Sequence, residues 1–471
     1  MRNVAKNFFY QSLFQVIKII MPIITIPIVS NALGPKGIGI YNYTFSIAQY
    51  FVLIAGLGVT MYGNREIALV WNRKENISKT FWEIVIIKLI TTTIVIMLYL
   101  IIVSFMNQQI YLYAQIVTII AVMFDISWFF MGIEDFKKTS MSNLFVQIIV
   151  FFSIVFFIND ESDTLKYILF QSGGALLSQI IVWQFVFKYI RIIPVKIKDC
   201  LKHLKGSVEY FIPQVAIVLY TNLNKTLLGV FIGSVAVGYY ANSQQLNSVF
   251  ITIITTVDLV LLPHMTGLFA TNNIKKIEQT LIKTIHLQLY FSIPIMFGIL
   301  TVFDKLVPWF FGEKFLFINN VIPFFSLLVV VIPLGMSMSR QYLIPVGKTR
   351  EYNTSVMIGA GINIILSFIL LPTIGFFGSV FSNIIAELFV TFTRAKSILT
   401  STSFKFEYKK IFSYLTSGVI MCLITRFITK SMAPTLLTNS IQMMIAVPIY
   451  LILTISIGTS PIKSIVKNIR K

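Results

Sequence analysis

Charge is scarce in this sequence and unevenly signed. Asp, Glu, Lys and Arg make up only 12% of its 471 residues, about half of what a soluble domain carries, so a water-facing surface cannot be covered and soluble enzymes and secreted domains are excluded. Cysteine occurs twice: Cys200 lies in a basic stretch and Cys422 in an apolar run, which leaves no disulfide framework and no cysteine-based metal site. Histidine occurs three times. HExxH and GxSxG are absent, and VGKTR at 346–350 has no glycine five residues before Gly347, so the chain offers neither a hydrolytic centre nor a phosphate loop. It reads as a carrier, not an enzyme.

What is abundant is apolar. Hydrophobic residues reach 56% and the mean hydropathy is +0.83. Runs of roughly 20 residues, enough to cross a bilayer as helix, recur along the chain and predict fourteen spans, near 7–31, 39–63, 81–104, 111–132, 140–158, 165–187, 207–231, 236–262, 281–301, 319–339, 353–371, 376–395, 411–430 and 440–459. The first run extends to about Val29 with no A-x-A-like site after it, and is expected to be a retained span instead of a signal peptide. The fold class is therefore an all-α integral membrane protein.

The formal charge of +20 could suggest nucleic acid, but the position of the cations decides otherwise. With alternate connections on opposite sides, 29 of the 38 Lys and Arg fall on one side and five on the other: Lys36, Lys166, Lys305, Lys314 and Lys430. By the positive-inside rule the richer side is cytoplasmic. Both termini are then expected on the cytoplasmic side of a cell membrane, with anionic lipids as partners and nucleic acid excluded.

An internal repeat divides the chain. At an offset of 199, LGPKGIGIY (33–41) aligns with IGSVAVGYY (232–240), pairing Gly34 with Gly233, Gly39 with Gly238 and Tyr41 with Tyr240. Both segments are the outer turn of a span pair. They predict a lobe of spans 1–6 (1–190), a basic connection (191–205), a lobe of spans 7–12 (206–396) and appended spans 13 and 14 (397–471). Turn chemistry that favours glycine is the plainer explanation of the same match.

Two polar stripes coincide under this offset. Span 1 carries Asn7, Gln11, Gln15, Lys18 and Thr25 at helical spacing, and span 7 carries Tyr210, Gln214, Thr221 and Lys225. Lipid penalises such faces, so they are expected to line a cleft. Lys18 is placed near mid-membrane, and Lys225 is about 12 Å further out at 1.5 Å per residue, giving an anion successive positive stations. Snorkelling of Lys225 and structural neutralisation of Lys18 are the alternatives. Asp258 in span 8 and Glu387 in span 12 are candidates for a coupling cation, H+ or Na+, or for structural pairing. Glu83, Lys88 and Asp125 are expected at hydrated inner ends, and Arg426 is expected to snorkel.

The segment PIITIPIVSNALGPKGIGIYNYTFSIAQYF (22–51) followed by YGNREIA (62–68) resembles the amino-terminal signature of polysaccharide repeat-unit flippases of the multidrug/oligosaccharidyl-lipid/polysaccharide exporter superfamily. The resemblance implies two pseudo-symmetric lobes around a V-shaped cavity, and alternating-access transfer of undecaprenyl-diphosphate-linked oligosaccharide from the inner to the outer leaflet of a bacterial cell membrane. The product would feed capsule, exopolysaccharide or O-antigen assembly, beside a polymerase and glycosyltransferases. It makes Lys18 a head-group contact and Arg65 an inner-end attractor of the diphosphate. Two other readings remain: a cation-coupled multidrug exporter of the same superfamily, which should carry acids where these stripes carry lysines, and a membrane polysaccharide polymerase, which should carry a large outer loop.

Overall fold

A computed structural model describes residues 2–73, 76–271 and 273–461, with side chains from residue 21 onward except at 72, 73, 260 and 274. The described residues form helices joined by short turns: α1 (Arg2–Gly56), α2 (Val59–Arg73), α3 (Ile77–Val103), α4 (Gln109–Phe124), α5 (Ser127–Gly132), α6 (Phe136–Phe157), α7 (Thr164–Val186), α8 (Ile197–Phe231), α9 (Ser234–Ala270), α10 (Ile274–Phe310), α11 (Ile322–Ser326), α12 (Leu328–Met338), α13 (Thr349–Ile374), α14 (Phe376–Ser401), α15 (Tyr408–Ile428) and α16 (Leu436–Ser456). A π-helical turn, Ser339–Leu343, extends α12.

Among the described residues, twelve helical stretches are long and apolar enough to cross a membrane. One of them, Met21–Trp71, contains the second of the fourteen expected spans and the end of the first. The expected span at 207–231 lies in α8 but outside the twelve, because Gln214, Thr221, Asn222, Asn224 and Lys225 dilute its apolar character. Large apolar side chains face outward in stripes, such as Ile94, Met97 and Ile101 on α3. Those stripes suit lipid and would not suit water.

The chain divides into two compact units, Met1–Gly238 and Tyr239–Lys471. This boundary falls about one span later than the basic connection at 191–205. The reason is local: α8 packs against α1, α2 and α3. Tyr62 fits over Gly206, Tyr43 over Gly229, and Gly58, at φ +73°, brings the α1–α2 turn against the Ser207 carbonyl. An aromatic cluster including Phe81, Trp128, Phe129 and Tyr62 fills the first unit. Tyr290, Tyr342, Tyr414 and Tyr450 anchor the core of the second.

The repeat has a structural counterpart inside the first unit. Gly34 (φ 62°) kinks α1 ahead of Pro35, and Gly233 (φ 118°) separates α8 from α9, a left-handed conformation that L side chains resist. The two turns then meet backbone to backbone. A Cβ on Gly39 would stand 1.6 Å from the Ser234 carbonyl oxygen, and a Cβ on Gly238 would stand 2.0 Å from that of Pro35. Residues 35 and 234 are themselves 199 apart, so the contact is reciprocal in the manner of a two-fold interface. Glycine-favouring turn chemistry alone does not produce such reciprocity.

One expectation about charge is corrected. Lys88 and Glu83 are each 1% exposed, not hydrated. The Lys88 ammonium donates to the carbonyl (2.6 Å) and carboxylate (3.0 Å) of Asp125, where α4 stops, and the Trp128 indole donates to the same carbonyl at 3.1 Å. Lys88 thus satisfies a backbone acceptor freed by the helix break. Lys88→Met removes the cation from the part-buried Asp125 carboxylate and the donor from its carbonyl and is expected to cost up to about 3 kcal/mol, read as a lowered unfolding temperature in detergent; an unshifted transition would show that the pair is not structural.

Candidate functional site

One end of the first unit, where the basic start of α8 lies, is built on Glu83. Its carboxylate receives His203 Nε2 at 2.9 Å and Lys202 Nζ at 3.0 Å, with Lys79 Nζ at 3.7 Å. The Tyr62 hydroxyl meets the other ring nitrogen of His203 at 2.7 Å, and Lys79 also pairs with Asp199 at 3.3 Å. This network ties the basic start of α8 to α2 and α3. Sequence reading missed it: the partners lie 120 residues apart, and the only local signal is the i,i+4 spacing of Lys79 and Glu83.

Further along α8 the polar stripe is present. Gln214 and Lys225 are half-buried and Thr221 is exposed, its hydroxyl donating back to the Ile217 carbonyl at 2.9 Å. One residue beyond Lys225, the Thr226 hydroxyl meets those of Ser46 (2.9 Å) and Tyr50 (3.0 Å) on α1. Lys225 has no carboxylate within ion-pair distance among the described residues, whereas buried Lys88 does. The side chains of Gln11, Gln15 and Lys18 on α1 lie outside the described residues. Arg65 sits on α2, 59% exposed, with Nη1 at 3.2 Å from Glu66.

The second unit buries an acid. Asp258 on α9 is 0% exposed. Its carboxylate accepts from Gln288 of α10 at 2.8 Å, from Ser337 of α12 at 2.7 Å, and from Gln341 in the π-helical turn at 2.5 Å. These donors are neutral. The adjacent Arg340 turns its guanidinium to the Thr255 carbonyl at 3.5 Å, and the buried Gln341 Oε1 has no hydrogen-bond partner. Among the described residues this carboxylate is hydrogen-bonded but forms no ion pair, and a buried acid of that kind is a candidate to exchange a proton or a small cation. Glu387, half-buried on α14, is a different case: it already interacts with neighbouring groups. Arg426 does not snorkel freely; Nη1 donates to the Leu300 carbonyl at 2.9 Å and Nη2 lies 3.2 Å from Asp304.

Comparison with known proteins extends these observations. The chain is 22% identical over 358 residues to a putative O-antigen transporter of Shigella dysenteriae, covering 74% of this chain and 87% of that one. It is 20% identical to a putative O-antigen transporter of Escherichia coli strain K12, covering 58% and 67%. Among solved structures it is similar to the lipid II flippase MurJ in an inward closed conformation, with a TM-score of 0.79, 15% identity and coverage of 95% and 98%. A multidrug resistance transporter of the MATE family in its inward-facing conformation matches with a TM-score of 0.62, 14% identity and coverage of 82% and 96%. These two likenesses are likenesses of fold. Residues 4–269, more than half of the chain, match the model of a family described as polysaccharide biosynthesis protein, and to that family of membrane proteins the chain belongs.

Proposed function

We propose that this protein is a flippase for lipid-linked oligosaccharides, carrying an undecaprenyl-diphosphate-linked repeat unit from the inner to the outer leaflet of a bacterial cell membrane by alternating access, with both termini in the cytoplasm. The observation that carries the reading is the polar face of α8, where Gln214, Thr221 and Lys225 stand within a helix otherwise fit to span the bilayer. A diphosphate joined to sugars cannot cross about 30 Å of hydrocarbon unaided. Amide, hydroxyl and ammonium groups are what such a head requires, and a lysine with no carboxylate partner among the described residues leaves its ammonium available to pair with an anion. A carrier of organic cations would want the opposite sign there. The names of the O-antigen transporters support the same substrate class.

Asp258 supplies the coupling step in this scheme. Uptake of a proton or Na+ changes what its carboxylate can accept from Gln288, Ser337 and Gln341, and so biases how α9 is held on α10 and α12. Asp258→Asn keeps the shape and most hydrogen bonds but cannot titrate. It is expected to fold normally and to lose transport, whereas Asp258→Leu, which leaves buried amide donors unpaired at about 1–3 kcal/mol each, is expected to lose stability as well.

The test is to delete the gene in its native host and follow the lipid-linked intermediate. Accumulation of the complete repeat unit accessible only from the inner leaflet, restored to the outer leaflet by the parent chain and not by Asp258→Asn, is the expected result. Normal surface polymer in the deletion strain would refute the assignment.

A further inference from the structure

The second unit contains an apolar slot of about 290 Å³ that is half open to the surroundings. Phe250 of α9, Tyr290, Pro294 and Gly298 of α10, and Met443 and Val447 of α16 form its walls. Gly298 matters to its shape: a Cβ there would meet nothing within 4 Å. Adjoining it is a polar hollow of about 380 Å³ lined by Asp304, Lys305, Arg426, Lys430 and Gln442 among others. Gln442 belongs to both linings, so the two spaces are neighbours with that side chain between them.

The charges of the hollow run against the trend of the chain. Its end of the bundle is the one that the cation distribution places outside, where only five Lys and Arg are expected. Two of those five, Lys305 and Lys430, converge here with Arg426, facing the single acid Asp304. Arg426 is fixed by Leu300 and Asp304, while Lys305 donates to the Met432 carbonyl at 2.6 Å and the Lys430 carbonyl at 3.3 Å, which leaves one N–H of its ammonium for a ligand. The Trp309 indole donates to Asn439 at 2.7 Å nearby, as suits a tryptophan at head-group level. Cations in excess at that level, above a hydrocarbon-lined slot, match an amphiphile with a phosphate head.

We infer that this composite site holds one anionic phospholipid of the outer leaflet, its phosphate against Lys305, Arg426 and Lys430 and one acyl chain in the slot beside Gly298. The site is separate from the stripe on α8 and does not depend on the substrate proposed above. A resident lipid there bridges α10, α15 and α16, and makes the stability of the second unit sensitive to head-group charge.

Native mass spectrometry of the full-length protein, released from detergent with phosphatidylglycerol or with phosphatidylcholine of the same chains, tests the inference. Preferential retention of phosphatidylglycerol is expected. Lys305→Gln/Lys430→Gln should weaken that retention roughly tenfold or more, towards the phosphatidylcholine level, and Gly298→Leu, which fills the slot, should weaken both lipids. Lys430 is exposed, so Lys430→Gln alone keeps the test available if the double variant fails to fold. Equal retention of the two lipids by the parent chain, or unchanged phosphatidylglycerol retention in the charge variants, overturns the proposal. So does protection by inorganic phosphate alone, which would mark a free-anion site, or displacement of phosphatidylglycerol by farnesyl diphosphate, which would mark a prenyl-diphosphate site.

Discussion

Lys18→Ala is expected to abolish surface polymer while the protein inserts at its normal level. A lysine at the centre of a span carries an insertion penalty of about 2.5–3.5 kcal/mol, so its removal eases membrane entry and cannot explain lost export by failed insertion. What it does remove, in the proposed mechanism, is the mid-membrane positive charge that meets a diphosphate head on its way across. Lys225→Ala, about 12 Å further along the path, is expected to slow export without ending it, because the mid-membrane station remains. The readout is polymer at the cell surface, normalised to protein in the membrane fraction. Unchanged polymer in Lys18→Ala at normal expression removes Lys18 from the mechanism.

Gly39→Ala and Gly238→Ala are each expected to destabilise the protein by about 1–3 kcal/mol, the usual cost of forcing atoms into a packed contact. The new methyl groups would meet the Ser234 and Pro35 carbonyl oxygens, backbone atoms that cannot rotate aside as a side chain can. Because both substitutions press on one contact, their combined cost should fall short of the sum. Gly361→Ala is the control: its Cβ meets open space, and as a helical position it should be neutral or slightly stabilising. Unfolding temperatures in detergent decide the matter. Equal values for all three variants would mean that the turns at 34–39 and 233–238 do not touch.

Much of the fold was legible because hydrocarbon imposes one strong rule: a span must be apolar and helical for about 20 residues. Each of the fourteen expected spans has a helical counterpart, and the Gly34 kink falls between the first two. Hydropathy is blind to breaks inside an apolar run. The expected span at 111–132 is two helices, α4 and α5, parted at Asp125 and Ile126, and the reason, the Lys88 ammonium on the freed carbonyl, comes from 37 residues away. Asp258 was identifiable as an acid inside a span, yet Gln288, Ser337 and Gln341 were not, since α10 and the end of α12 with its π-helical turn bring them to α9. Burial of Glu83 and Lys88 was misjudged for a related reason: position along a span tells depth, and depth does not tell which side chains close over a charge.

The reciprocal glycine contact shows the opposite case. Three identities in nine positions carried little weight as sequence, but the physical requirement behind them, two backbones crossing where no Cβ fits, gives each glycine a reason to be there.

The most direct test of the account is flipping itself. Purified protein reconstituted in vesicles with a fluorescent undecaprenyl-diphosphate-linked oligosaccharide should move the labelled head between leaflets, detected by its loss of protection from a membrane-impermeant quencher. The account predicts rapid transfer by the parent chain and none by Lys18→Ala. Leaflet exchange no faster than in protein-free vesicles, under conditions where the protein is folded, would contradict it.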